Sequence, residues 1–233
     1  MVEVITTRNK PKQFAWSYTK LKNFETCPKR YFHIDVEKTF KEDPNNEHLR
    51  YGEFVHEGLA NRINSEHTPL SPTIAKLEPW AEKILHPPYD RILVEQQMAI
   101  REDLQPTAWF DNDVWFRGIA DVIKKAGPVA LAIDWKTGNI KEDGVQLALI
   151  AACVFAHHPE IMKIRTEFVW LKEDATSRAD FSREDMPEVW AKLLPRVSRL
   201  KLAHDTMSFP PTPNGLCRKF CTVTACPYHG VGN

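Results

Sequence analysis

An excess of charge of either sign is missing from this chain of 233 residues, in which Lys plus Arg and Asp plus Glu number 31 each. A neutral total excludes a polybasic arm or an acidic tail as the organising feature. It remains compatible with a basic groove around an acidic centre. Also missing is any apolar run approaching a bilayer span, so no membrane partner is expected. Residues 1–13 are polar and hold no apolar stretch of a secretion signal, which leads to an expectation of cytoplasmic localisation. No internal repeat, low-complexity tract or Walker-type phosphate loop occurs, so neither a solenoid nor a built-in helicase motor is expected. Cysteine is sparse and odd in number, five in all, which argues against a disulfide framework.

What is present starts with the run from Val129 to Gly138. Val129, Leu131, Ile133 and Trp135 point to one face of a strand, and Ala130, Ala132, Asp134 and Lys136 to the other. An acid and a lysine therefore share a face beside alanines too small to crowd them, and Thr137-Gly138 supplies a turn. Upstream, Val114 to Lys124 reads as a second strand carrying Asp121, joined by a turn at Lys125-Ala126-Gly127-Pro128. That hairpin makes Asp121 and Asp134 neighbours in an antiparallel pair.

The rest of the chain reads as alternating helices and strands. Residues 1–15 form an irregular lead-in, Ser17 caps a short helix with Leu21 and Phe24, and Pro28 breaks it at Cys27. Residues 41–48 are a polar surface loop. A helix from Leu49 to Asn64 carries the stripe Val55, Leu59 and Ile63, and Gly52 within it points to a close backbone approach. Ile74, Leu77, Ala81 and Ile84 suggest another helix, Ile92 to Ile100 a strand alternating about a single face, and Glu142 to Ala156 a largely buried helix. Ile161 to Leu171 is a further strand. Ser182 with Asp185 resembles a capping box for a last helix that Pro195 should kink. The order α-α-α-β-β-β-α-β-α predicts an α/β fold, a central mixed sheet flanked by helices.

Two strand-end carboxylates, a lysine and a helix-borne imidazole can hold Mg²⁺ or Mn²⁺ against a phosphate. Asp121 and Asp134 would be the carboxylate ligands, His56 a further ligand, and Lys136 the group that orients water or neutralises charge. Glu95 is a second acid near the same strand ends, with an exposed strand residue as the equal alternative.

These residues resemble, in order, the motifs of the RecB-like exonuclease branch of the PD-(D/E)xK nuclease superfamily. Gly52-Glu53-Phe54-Val55-His56-Glu57 looks like its G-x-x-x-H-E helix, and Gly118-Ile119-Ala120-Asp121 like its G-x-x-D strand. Ile133-Asp134-Trp135-Lys136-Thr137-Gly138 looks like its D/E-x-K-T-G strand, and Gln146-Leu147 like the Q-L that opens the next helix. The resemblance implies a restriction-endonuclease-like core in which His56, Asp121, Asp134 and the Trp135 carbonyl bind the metal. It makes Lys136 catalytic and turns Gln146 toward the DNA. A tyrosine common in that family four residues after the glutamine is Ile150 here, and the third-strand acid is Asp where many relatives carry Glu.

Three cysteines cluster in Cys217-Arg-Lys-Phe-Cys221-Thr-Val-Thr-Ala-Cys226, and Cys27 precedes the core. This resembles the subset of the same family found in CRISPR adaptation and in AddB-type helicase–nucleases. There, one cysteine before the core and three after it bind a [4Fe–4S] cluster. The spacing here is C-x₃-C-x₄-C in place of C-x₂-C-x₅-C, and four thiolates equally suit a structural Zn²⁺. The expected organisation is one nuclease domain over 1–233, with a helical segment 16–40, a core 49–204 and a cysteine tail 205–233 packed on the first helix. Cys153 reads as a small core residue, and His33 and His229 as surface histidines.

The expected activity is metal-dependent exonucleolytic hydrolysis of linear or single-stranded DNA in recombination, repair or phage DNA metabolism. A non-cleaving or partner-activated DNA-end-binding subunit of a helicase–nuclease or CRISPR-adaptation complex is the alternative, and a restriction-type endonuclease a third reading. Lys20, Lys22, Lys29, Arg30 and Arg117 are candidate phosphate contacts. Tyr31 and Phe32 are candidate stacking residues that more simply belong to the core.

Overall fold

In the computed structural model six strands form one sheet, and β-branched and aromatic residues concentrate in four of them. The structure describes residues 14–41, 46–65, 68–141 and 143–231. Most of the expected lead-in, part of the 41–48 loop and the Glu142 start of the expected helix lie outside those residues. The strands are β1 (Arg91–Ile100), β2 (Pro106–Thr107), β3 (Phe116–Ala126), β4 (Val129–Lys136), β5 (Lys163–Trp170) and β6 (Ala175–Ser182). Their spatial order is β2-β1-β3-β4-β5-β6. All neighbours are antiparallel except β4 and β5. A parallel pair needs a crossover, which α5 (Gly144–His157) supplies. The fold is α/β, a central mixed sheet flanked by helices.

Both faces of the sheet are covered, each by its own apolar cluster. On one face Ala130 and Ala132 pack with α5 and with Trp190, Leu193, Val197 and Leu200 of α6 (Met186–Thr206). On the other, Ile133 and Trp135 pack with Val55, Leu59 and Ile63 of α3 (Glu47–Asn64) and with Ala81 and Ile84 of α4 (Glu78–Leu85). The alternation read from Val129 to Lys136 therefore divides the core as predicted. Each fully buried Val, Leu or Ile in these layers contributes about 1.5–3 kcal/mol before chain entropy is counted.

Local chemistry sets the helix ends. The Ser17 hydroxyl accepts from the Lys20 N–H at 3.3 Å and starts α1 (Tyr18–Thr26). Cys27, in extended geometry, ends α1 and precedes the short α2 (Pro28–Tyr31), as Pro28 requires. The Ser182–Asp185 capping box forms, and α6 continues through Pro195.

Two expectations need correction. The segment Ile74 to Leu85 is a 3₁₀ turn over Pro72–Leu77 followed by α4, the join falling where Pro79 fits the first helical turn. The two-residue β2 was absent from the predicted order, and so was β6. Its Ala-Thr-Ser-Arg-Ala-Asp-Phe-Ser sequence has one large apolar residue, because an edge strand pairs through its backbone and buries little.

Candidate active site

The sheet breaks its own alternation at one row of residues. Ile92 and Val94 of β1 belong to the cluster under α3 and α4, whereas Met98 and Ile100, also even-numbered, belong to the cluster under α5. On β3, Val122 and Ala120 divide in the same way. The switch falls at Glu95, whose φ of 49° is left-handed. That conformation costs a non-glycine residue on the order of 1–2 kcal/mol, so the expected single-faced β1 holds only on either side of it.

The β1–β3 register sets Val94 against Val122 and Gln96 against Ala120, which brings Glu95 across from Asp121. The β3–β4 register sets Val122 against Ile133, and its next step brings Asp121 across from Asp134. Three carboxylates thus form a row over three adjacent strands. Like charges directly opposite one another are destabilising unless a cation offsets them.

His56 reaches this row from α3. Its Nδ1 lies 3.3 Å from Asp121 Oδ1, while Asp121 Oδ2 accepts the Trp135 backbone N–H at 2.6 Å. Asp121 is thereby held at both oxygens. The close approach expected at Gly52 is present, since a Cβ there would sit 3.3 Å from Thr137 Oγ1 at the end of β4. Gly118, of the other glycine motif, lies against Phe116, 3.2 Å from where its Cβ would be. The ligand atoms of His56, Glu95 and Asp121 all fall within 4.8 Å of one another. This His/Glu/Asp cluster can coordinate a divalent metal ion.

Asp134 and Lys136 share the neighbouring position on β4. Lys136 Nζ pairs with Asp134 Oδ2 and also donates to Gln146 Oε1 at 3.1 Å. Gln146 Nε2 donates to Asp134 Oδ1 at 3.0 Å, so the amide from α5 bridges acid and lysine. Asp134 Oδ2 is buried and faces the Lys136 ammonium alone. Lys136 also lies 4.8 Å from the centroid of Phe168.

Electrostatics favour a cation here. Burial, and then the charge of Asp121, raise the Glu95 pKa above the usual carboxylate value. Burial raises that of Asp134 despite the opposing charge of Lys136. For His56, burial works downward, but the Asp121 hydrogen bond and charge outweigh it and the net shift is up. Three crowded acids, two of them with raised pKa, fit a hard divalent ion.

The acids open into a cleft of about 480 Å³ whose walls include Lys20 of α1, Arg117 of β3 and Gln146 of α5. Arg117 Nε donates to the Trp109 carbonyl at 2.9 Å, and its guanidinium carbon lies 5.6 Å from that ring's centroid. Of the expected phosphate contacts, Lys20 and Arg117 reach the cleft. Lys22 instead pairs with Asp143 at 3.1 Å, and Lys29 and Arg30 line a separate cavity with the cysteines. Tyr31 is buried with its hydroxyl 2.8 Å from His204 Nε2, and Phe32 stacks on Phe209. The sequence reading gave Glu95 no firm role; the one available signal was its equal distance in register from an expected hairpin partner. Ile150, at the place of the family tyrosine, is an apolar wall of the cleft.

Cys27, Cys217, Cys221 and Cys226 line one cavity. Thr212 N–H donates to Cys27 Sγ and Asn214 N–H to Cys217 Sγ, each at 3.4 Å, and Asn214 Nδ2 donates to the Thr26 carbonyl at 3.0 Å. Burial raises the Cys221 pKa. Cys153 is fully buried in α5, and burial pushes its thiol up to about 12, which makes it an unreactive core residue.

An acid row with an adjacent lysine, set within a mixed sheet and opening into a cleft, is the arrangement of a metal-dependent nuclease. The family model of the PD-(D/E)XK nuclease superfamily matches residues 15–231, and the chain belongs to that superfamily. Among solved structures, a candidate exonuclease from Eubacterium rectale is similar at 11% identity and a TM-score of 0.52, over 91% of this chain and 90% of that one. The protein SSO0001 is similar at 13% identity and a TM-score of 0.48, over 94% and 89% respectively. Among curated proteins, none matches this chain. No described helix is long and apolar enough to cross a membrane.

Proposed function

We propose that the protein is a Mg²⁺- or Mn²⁺-dependent exonuclease acting on the ends or single strands of linear DNA, in the RecB-like branch of its superfamily. The observation that carries this reading is the convergence of His56, Glu95 and Asp121 beside Asp134, Lys136 and Gln146. The order of the motifs around Gly52–Glu57 and Gln146-Leu147 supports the exonuclease branch. A divalent cation at the acids would supply the charge that lowers the pKa of an attacking water and offsets charge on the phosphate.

The chain's own groups do the rest. His56, Glu95, Asp121 and Asp134, with the Trp135 carbonyl, would hold the ion, and the Trp135 N–H keeps Asp121 oriented toward it. Lys136, steadied by Gln146 and Asp134, presents an ammonium to the scissile phosphate and stabilises the charge that develops on its oxygens. Lys20 and Arg117 hold the flanking phosphates. End-labelled linear DNA should be degraded with Mg²⁺ or Mn²⁺, and Lys136→Ala should slow this by roughly 10²–10³-fold. Unchanged cleavage by Lys136→Ala would refute the site. Equal cutting of closed circular DNA would refute the exonuclease mode and favour an endonuclease.

The four cysteines are proposed to hold a [4Fe–4S] cluster that staples the tail to the first helix and makes 1–233 one nuclease domain. Two backbone N–H groups aimed at sulfur favour the thiolate form. Iron and sulfide in the anaerobically purified protein support the cluster, and zinc without iron refutes it.

A further inference from the structure

A second cavity of about 550 Å³ lies beside the catalytic cleft and has no part in the reaction described above. Its size is that of a small-molecule site. Ala15, Lys20 and Arg117 line both spaces, so cleft and cavity meet across one cationic saddle. The Arg117 guanidinium is fixed there by Trp109, through the carbonyl and the ring face.

The cavity's walls divide by chemistry. Phe14 and the His204 imidazole, both half-buried, present ring surface over the buried Tyr31 and Trp115. The ring of Phe14 stands edge-on to His204 at 5.2 Å, and the Tyr31 hydroxyl ties down its Nε2. Burial and then the charge of Lys20 lower the His204 pKa, so the ring is neutral at pH 7 and is no anchor for phosphate. Asp35, Glu102 and Asp205 also line the cavity, Asp205 paired with Lys201 at 2.7 Å, so acids outnumber cations away from the saddle and disfavour a phosphate there. A flat, uncharged ring joined to a phosphate at one side satisfies all three parts.

We propose that this cavity receives the unstacked base of a nucleotide one or two positions from the scissile phosphodiester, with the connecting phosphate on Lys20 and Arg117. The inference rests on the nuclease reading and narrows its substrate. A base enters the cavity only where it is unpaired, so the strand is single at that point. Breaking a base pair is the part of such extrusion that an unpaired strand avoids. Aromatic contact with the base is tolerant of sequence, because every base has a π-face.

The test uses the full chain and single-stranded oligonucleotides carrying one 5-iododeoxyuridine, moved stepwise along the strand. Cleavage with Mn²⁺ maps the scissile bond, and irradiation in EDTA gives cross-links located by mass spectrometry. The base one or two positions from that bond should attach to Phe14 or His204. An abasic residue at the same position should weaken binding about tenfold, against less than twofold elsewhere, and Phe14→Ala should shrink that penalty. Cross-links that never map to this cavity, or an abasic penalty equal at all positions, would overturn the proposal. The cross-links use the unmodified protein, so they decide even if Phe14→Ala does not fold. DNA cut normally with cross-links elsewhere ends the base site alone. DNA bound but never cut, with cross-links in the cavity, ends the nuclease reading and leaves the base site standing.

Discussion

The acid row and the cysteine group, the two proposed ligand sets of this chain, are held by different means. The acids stand on β1, β3 and β4, in registers fixed on both sides by backbone pairing, between two apolar layers. The cysteines join Cys27, at a helix break, to a segment after α6 that has no regular helix or strand. Two of their sulfurs accept backbone N–H groups, and the Asn214 side chain ties the tail to the Thr26 carbonyl. A site made by a sheet exists before its ion arrives, whereas a site made by loops depends on its ligand for order.

The sharpest way to break this comparison is Asp121→Asn. An amide oxygen can still accept the Trp135 N–H, so the fold should survive while the charge is lost. DNA cleavage should fall by roughly 10²–10³-fold with a nearly unchanged melting curve. A collapsed melt would mean that the acid row is structural. Glu95→Asn comes next. Asparagine tolerates the left-handed backbone better than glutamate, so stability measured in urea should hold or rise, by up to about 1 kcal/mol. Activity should drop roughly 10–100-fold, and a loss of stability would remove the argument that Glu95 is strained.

Cys221→Ser addresses the other set. Trypsin cleavage at the exposed Arg218 and Lys219 should accelerate by about tenfold, while residual DNA cleavage keeps its metal dependence. Unaltered proteolysis would show the tail ordered without its thiols. The smallest effect is Asp143→Ala, between the two sets. Asp143 caps α5 at the Val145 N–H and bonds Tyr18 and Lys22. Burial pushes its pKa up, yet the bonds from Tyr18 and Lys22 outweigh burial and the net shift is down. Its stabilisation is therefore complete above the unfolded value of about 3.9 and is lost as pH falls through the lower folded value. Asp143→Ala should cost about 1 kcal/mol at pH 7, and urea melts of the two proteins should converge in acid.

Much of this site was legible because it is made of short-range pattern. The alternation through Asp134 and Lys136, the hairpin at Gly127, the Gly52–His56 spacing and Gln146 after the turn each depend on neighbours within a few residues. β6 was not legible, since edge strands are specified by their partner's backbone more than by their own side chains. Glu95 was not legible either. Period-two reading assumes a uniform strand, and the left-handed residue that turns β1 over looks like any other glutamate in sequence.

The sequence alone pointed to the candidate carboxylates, lysine, imidazole and thiols, and to a central sheet between helices. It could do so because residue type and local periodicity are properties of adjacent positions. Only the tertiary structure decided that Glu95 joins His56 and Asp121, and that Gln146 bridges Asp134 to Lys136. It alone placed Lys20 and Arg117 on the saddle between two cavities, with Lys22 turned to Asp143. Those facts depend on register, strand reversal and the approach of helices distant in sequence, and side-chain chemistry alone carries no record of such distances.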